Sequence, residues 1–122
     1  MKKILVMDDN LDILQLVEDV LVYERFQVIS LSEGDEFIET ALELMPDLCI
    51  IDYRLAENNG ADFCKQLKAH SKLKHIPVII YSAYFHKSLD EATLGCDAFI
   101  AKPFDLEELL YKINELLSGS FV

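Results

Sequence analysis

Short runs of apolar residues recur along the chain, and turn residues bound each run. The clearest run is 48–51, in which four apolar residues end directly at the carboxylate of Asp52. An unbroken apolar run of this length is typical of a strand buried on both faces of a sheet. The same pattern predicts five strands, the second of which alternates only partly and suits an edge. These strands are residues 4–7, 26–31, 48–52, 76–81 and 97–101.

Between the strands, apolar residues recur at the spacing of one helical face, so the pattern predicts a helix after each strand. The fourth helix, from Ser88 to Leu94, is short. The fifth begins at a capping box, in which Asp105 stands three residues before Glu108. Strands that alternate with helices indicate an α/β fold with a doubly wound, five-stranded parallel sheet covered on both faces.

Length, charge and cysteine content restrict the domain organisation and the partners. A chain of 122 residues fits one domain, which we assign to residues 1–118, with 119–122 as a C-terminal tail or the start of a linker. The net charge of −11 disfavours nucleic acid and anionic membranes as direct partners. The three cysteines do not have the spacing of metal ligands, and the sequence shows no signal peptide and no long apolar run. These features predict a cytoplasmic protein.

Polar side chains stand where the predicted strands end. They are Asp8 and Asp9 after the first strand, Asp52 in the third, Ser82 after the fourth and Lys102 after the fifth. Doubly wound sheets form their sites at the carboxyl ends of the strands, where the strand order reverses. These residues should therefore share one edge of the sheet, and the three carboxylates at the ends of the first and third strands should lie close together. Three carboxylates there would repel one another, and a magnesium ion would relieve that repulsion. The aspartates could instead only be caps: Asp8, Asp9 or Asn10 can cap the first helix, and Asp52 can cap the segment that follows it.

The predicted groups at this edge suit phosphoryl chemistry. They are a cation, the ammonium group of Lys102, the hydroxyl of Ser82 and the accessible carboxylate of Asp52. Asp52 can act as the nucleophile and become an acyl phosphate. Magnesium and Lys102 would each neutralise a phosphoryl oxygen, and Ser82 would donate a hydrogen bond to another.

These segments resemble the receiver domain of two-component response regulators, of the chemotaxis-receiver type, over almost the whole chain. The motifs occur in the family's order and at nearly its spacing. They are Ile4–Asp9, Asp47–Asp52, Gly60, Pro77–Ala83, Gly95–Phe99 and Lys102–Phe104. The resemblance implies a flavodoxin-like (βα)5 fold with the strand order 2-1-3-4-5.

The resemblance also implies a role for each site residue. Asp52 would accept a phosphoryl group from a histidine kinase or a phosphotransfer domain. Asp9 and Asp52 would bind magnesium directly, and Asp8 would bind mainly through water. The backbone carbonyl of Arg54 would be a further ligand, and Lys102 would contact the phosphoryl group.

Ser82 and Phe99 occupy the positions of the family's switch residues. Ser82 would move toward the phosphoryl group and Phe99 would swing inward, which would change the binding of a downstream protein partner. Arg54 and Tyr84 stand two residues beyond Asp52 and Ser82, at positions that tune the lifetime of the phosphoryl group in the family.

Several functions compete at this level, and the leading one is a signalling phosphoacceptor. Such a domain catalyses its own phosphorylation and is not an enzyme with a separate product. The sequence leaves open whether it also catalyses its own dephosphorylation. A phosphatase with an aspartate nucleophile would need a second acid where Arg54 stands. A binding module that is never phosphorylated would not need the complete set of site residues. A flavodoxin-type flavin carrier would need a phosphate-binding loop after the first strand.

Overall fold

The structure, a computed structural model, describes residues 1–34, 36–53, 60–82, 95–101 and 105–118. Its strands are β1 (Lys3–Met7), β2 (Gln27–Leu31), β3 (Leu48–Asp52), β4 (Val78–Ser82) and β5 (Ala98–Ala101). The helices in the described part of the chain are α1 (Leu11–Tyr23), α2 (Phe37–Leu44), α3 (Gly60–Ala69) and α4 (Leu106–Ser118). None of these helices is long and apolar enough to span a bilayer.

The five strands are parallel and lie in the order β2-β1-β3-β4-β5. The predicted fold class and strand order are therefore confirmed, and β2 lies at an edge of the sheet as its pattern indicates. The predicted short helix from Ser88 to Leu94 lies outside the described residues.

Helices cover both faces of the sheet because successive side chains of each buried strand point to opposite faces. On β3, Leu48 and Ile50 pack on the face that α1 and α4 cover. Cys49 and Ile51 pack on the other face, against α2 and α3. This two-sided burial explains why the strand sequences are almost uniformly apolar.

The fourth strand begins two residues later than the sequence predicts and extends to Ser82. Pro77 has no N–H to donate to a strand ladder. Ile76 closes a turn instead, since its N–H donates to the carbonyl of Leu73 at 3.0 Å. Ser82, which the sequence places just beyond this strand, is thus the last residue of β4, and it is fully buried.

All three cysteines of the chain are buried. Burial raises the pKa of the Cys49 thiol to about 12 and also raises the pKa of Cys64. The Cys64 thiol donates to the carbonyl of Gly95 at 3.3 Å, and the Cys96 thiol donates to the carbonyl of Ala98 at 3.2 Å. The thiolate is the reactive form of cysteine. Burial therefore protects all three thiols, and a raised pKa further protects Cys49 and Cys64.

We therefore expect the native protein to react only slowly with dithionitrobenzoate at about pH 8, near the pKa of a free thiol. In guanidinium chloride all three cysteines should react at once. Absorbance of the released thiol measures both rates, and rapid stoichiometric reaction of the native protein would contradict the expectation.

Candidate metal centre

Three carboxylates meet beyond the carboxyl ends of β1 and β3. One carboxylate oxygen from each of Asp8, Asp9 and Asp52 lies within 4.8 Å of the others. Met7 pairs with Ile51, so Asp8 and Asp52 follow next in register on adjacent strands. The structure thus brings together the three acids that the sequence places at this edge, at the point where the strand order reverses.

The three acids differ in their exposure. Asp8 is fully buried, Asp52 is 7% exposed, and Asp9 is exposed to solvent. Oδ1 of Asp8 accepts the backbone N–H of Asn10 at 2.9 Å, and Oδ2 accepts the hydroxyl of Tyr81 at 2.7 Å. Among the described residues, no buried side-chain nitrogen or oxygen lacks a hydrogen-bond partner. These hydrogen bonds offset the cost of burying the Asp8 carboxylate.

Asn10 caps α1, and this assigns the capping role to a residue outside the acidic cluster. The side-chain oxygen of Asn10 accepts the N–H groups of Asp12 at 3.0 Å and Ile13 at 3.2 Å. Neither Asp8 nor Asp9 is the N-cap residue of this helix. The N-cap hydrogen bonds of α1 therefore come from Asn10, whose own N–H is held by the Asp8 carboxylate.

Gly60 allows α3 to begin against the backbone of Asp52. A Cβ atom at Gly60 would lie 2.5 Å from the carbonyl oxygen of Asp52 and 3.0 Å from Cγ2 of Ile51. The N–H of Gly60 donates to the carbonyl of Tyr53 at 2.7 Å, and the N–H of Tyr53 donates to the carbonyl of Tyr81 at 2.8 Å. The end of β3 is therefore held from two sides, with no room for a side chain at position 60.

Tyr81 contacts the site, although the sequence pattern identifies it only as one member of an apolar strand. Tyr81 is fully buried, and this burial raises its pKa far above the usual range. The charge and hydrogen bond of Asp8 and the charge of Asp52 raise the pKa of Tyr81 further. The phenol therefore stays protonated and can donate. A hydroxyl in an otherwise apolar buried strand was the available signal, because a buried tyrosine usually has a hydrogen-bond partner.

Ser82 and Phe99 lie close together on neighbouring strands. Phe99 pairs with Ile80, so Ser82, two residues further along β4, is its diagonal neighbour. Phe99 is partly buried and packs on the face covered by α2 and α3. Tyr81 packs on the opposite face, so alternation along β4 places the Ser82 side chain on the same face as Phe99.

Lys102, Arg54 and Tyr84 lie outside the described residues. The last residue of β5 is Ala101, which directly precedes Lys102 in the sequence and pairs with Ser82. In the sequence, Lys102 therefore comes directly after β5, whose last residue pairs with the last residue of β4.

The acidic cluster fits a magnesium ion. Magnesium binds oxygen ligands at about 2.0–2.1 Å, so oxygens on opposite sides of the ion are roughly 4.2 Å apart. Oxygens that already lie within 4.8 Å of one another need only small rotations to reach that spacing. The exposure of Asp9 gives access to the waters that magnesium retains.

Comparison with known proteins identifies the family of this chain. Residues 4–114 match the family model of the response regulator receiver domain. The transcriptional regulatory protein GltR of Pseudomonas aeruginosa is 35% identical over 95% of this chain, which spans 49% of GltR, or about half its length. The polar-differentiation response regulator DivK of Brucella anthropi is 31% identical, with 98% of each chain covered.

A solved structure shows the same fold. The response regulator TrrA of Thermotoga maritima, in complex with Mg2+-BeF, superposes with a TM-score of 0.84 at 28% identity. The match covers 95% of this chain and 99% of TrrA. The protein described here therefore belongs to the response regulator receiver domains of two-component signalling.

Proposed function

We propose that Asp52 takes a phosphoryl group from the phosphohistidine of a histidine kinase or a phosphotransfer domain. A carboxylate oxygen of Asp52 attacks phosphorus, the P–N bond breaks, and the imidazole leaves with the electron pair as an acyl phosphate forms. The observation that carries the proposal is the meeting of Asp8, Asp9 and Asp52 within 4.8 Å at the switch in strand order. The domain acts as a signalling phosphoacceptor that catalyses its own phosphorylation, not as an enzyme with a separate product.

The same acids hold Mg2+ in this proposal. Asp9 and Asp52 bind the ion directly, and Asp8 binds mainly through water. The backbone carbonyl of Arg54 is a further ligand. When bound, Mg2+ supplies positive charge that offsets the carboxylates and the phosphoryl oxygens. The complex of the relative TrrA with Mg2+-BeF supports this assignment, and Lys102 contributes a second positive charge.

Ser82 and Phe99 connect phosphorylation to partner binding. Ser82 moves toward the phosphoryl group, and Phe99 turns inward into the space beside it. Their adjacency on one face of the sheet supports this role, as do the full burial of Ser82 and the partial burial of Phe99. Phosphorylation then shifts the population between two conformations, one of which binds a downstream protein.

Incubation with acetyl phosphate tests the function directly. With Mg2+ present, intact-mass spectrometry should show one phosphoryl group per chain, and the same should occur with a phosphorylated kinase domain as donor. Hydroxylamine should remove the group, because it cleaves acyl phosphates, and EDTA should prevent uptake. Uptake that survives hydroxylamine or proceeds in EDTA would contradict the proposal.

Arg54 and Tyr84 should set the lifetime of the phosphoryl group. We expect Arg54→Ala and Tyr84→Ala each to speed dephosphorylation by about tenfold, or about 1.4 kcal/mol in the barrier, because a shorter side chain at these lifetime-tuning positions should hinder attack by water less. The decay of phosphorylated protein after removal of acetyl phosphate measures the rate. Lys65→Ala, on the exposed side of α3, is the control. Unchanged rates in both single variants would remove this role.

A further inference from the structure

The hydroxyl of Tyr81 reaches across the sheet to Asp8. It donates to Oδ2 of Asp8 at 2.7 Å, and both residues are fully buried. Tyr81 lies on β4, whereas Asp8 follows β1, and β3 lies between these two strands. Tyr81 pairs with Asp52 on β3, and strand alternation places both side chains on the face that α1 and α4 cover. The phenol therefore lies beside the phosphoacceptor.

With this contact, each carboxylate oxygen of Asp8 accepts a hydrogen bond. The backbone N–H of Asn10 binds Oδ1, and Tyr81 binds Oδ2. Together they fix the rotation of the carboxylate. A carboxylate oxygen has two lone pairs, so it can accept a hydrogen bond and also contact a metal ion or a metal-bound water.

Packing alone does not account for a hydroxyl at position 81. The ring of Tyr81 belongs to a cluster of buried apolar side chains, and phenylalanine would fill the same volume. The cluster includes Ile79, Ala98, Ile100, Leu109 and Ile113. Burying a hydroxyl in such surroundings is unfavourable unless it is hydrogen-bonded. The hydrogen bond to Asp8 therefore offsets the cost of burying the Tyr81 hydroxyl.

We propose that Tyr81 is a positioning residue of the magnesium site, whose hydroxyl holds the Asp8 carboxylate in the orientation that meets Asp9 and Asp52. The inference rests on the proposed function, because it assumes that these acids hold Mg2+. Partners that hydrogen-bond to metal ligands commonly change metal affinity by about 10–100-fold. Without the hydroxyl, Asp8 gains rotational freedom that Mg2+ binding must remove, so the ion binds more weakly.

Calorimetric titration of Mg2+ into the unphosphorylated chain tests the inference. We expect the Kd of Tyr81→Phe to be about tenfold higher than that of the wild type. Tyr111→Phe removes a phenolic hydroxyl from a side chain that is 64% exposed on α4, and its Kd should equal the wild-type value. Thermal melting by circular dichroism establishes that each variant is folded at the titration temperature.

A double-variant cycle separates positioning from stability. Asp8→Asn removes the charge on which Tyr81 acts, so adding Tyr81→Phe to it should change the Kd by less than about twofold. The double variant removes a buried charge together with its donor, so this comparison remains usable if Tyr81→Phe alone folds poorly. A tenfold loss that persists in the Asp8→Asn background would overturn the inference.

The remaining outcomes distinguish the inference from the proposed function. Equal or tighter Mg2+ binding by Tyr81→Phe overturns the inference alone, even with a lower Tm, because the hydroxyl then contributes only to folding. A wild-type chain that binds no Mg2+ overturns the proposed function and this inference together.

Discussion

Asp52→Asn is expected to abolish phosphoryl uptake from acetyl phosphate while leaving the fold intact. The amide does not replace the carboxylate as a nucleophile toward phosphorus, and asparagine has almost the same shape as aspartate. One of three mutually repelling charges also disappears, so the Tm without Mg2+ should stay equal or rise. Intact-mass spectrometry after incubation with Mg2+ and acetyl phosphate measures uptake, and thermal melting measures stability.

Asp12→Asn is the matched control, since Asp12 is an exposed carboxylate near the start of α1. It should take up phosphoryl groups like the wild type. If Asp52→Asn still retained a phosphoryl group, another residue would be the acceptor; among the described residues, Asp8 and Asp9 are the carboxylates that share the cluster with Asp52.

Gly60→Ala is expected to lower the free energy of unfolding by about 2–3 kcal/mol, which is the upper part of the range for overpacking. The new Cβ would lie 2.5 Å from the carbonyl oxygen of Asp52, which is a backbone atom of a central strand and cannot rotate away. Either α3 or the end of β3 must move, and such a movement displaces the phosphoacceptor from Asp8 and Asp9. Phosphorylation by acetyl phosphate should therefore slow together with the loss of stability measured by urea unfolding.

Gly95→Ala provides the comparison for backbone strain without a steric clash. Gly95 has a φ of +74°, but a Cβ at this position would meet no atom within 4 Å. Its cost should come only from the left-handed conformation, about 1–2 kcal/mol, with the phosphorylation rate unchanged. Wild-type stability and phosphorylation in Gly60→Ala would show that the contact between α3 and β3 adjusts without cost.

The acidic cluster was predictable because each acid follows an apolar run that identifies a strand. The end of β3 is the clearest case, since Asp52 closes five consecutive buried positions. The switch-point rule then places the ends of the first and third strands together without any knowledge of side-chain contacts. The full strand order came from the family resemblance, because alternating strands and helices are compatible with several orders.

The contact of Tyr81 with Asp8 was not predictable from the local pattern. The two residues are 73 positions apart, and their meeting depends on the register of three strands. A tyrosine in a buried strand has the same hydropathy pattern whether its hydroxyl binds a distant carboxylate or a nearby carbonyl. The late start of β4 had a local cause, the missing N–H of Pro77, which the apolar run conceals.

The final two positions of β4 serve opposite layers of the molecule. Tyr81 belongs to the layer that contains α1 and α4, and Ser82 faces the layer that contains α2 and α3. A single peptide unit thus links Tyr81, which contacts the acidic cluster, to Ser82, which lies on the same face as Phe99. We expect any displacement of that peptide to alter both layers at once, so metal occupancy and the position of Phe99 should be thermodynamically linked even before phosphorylation.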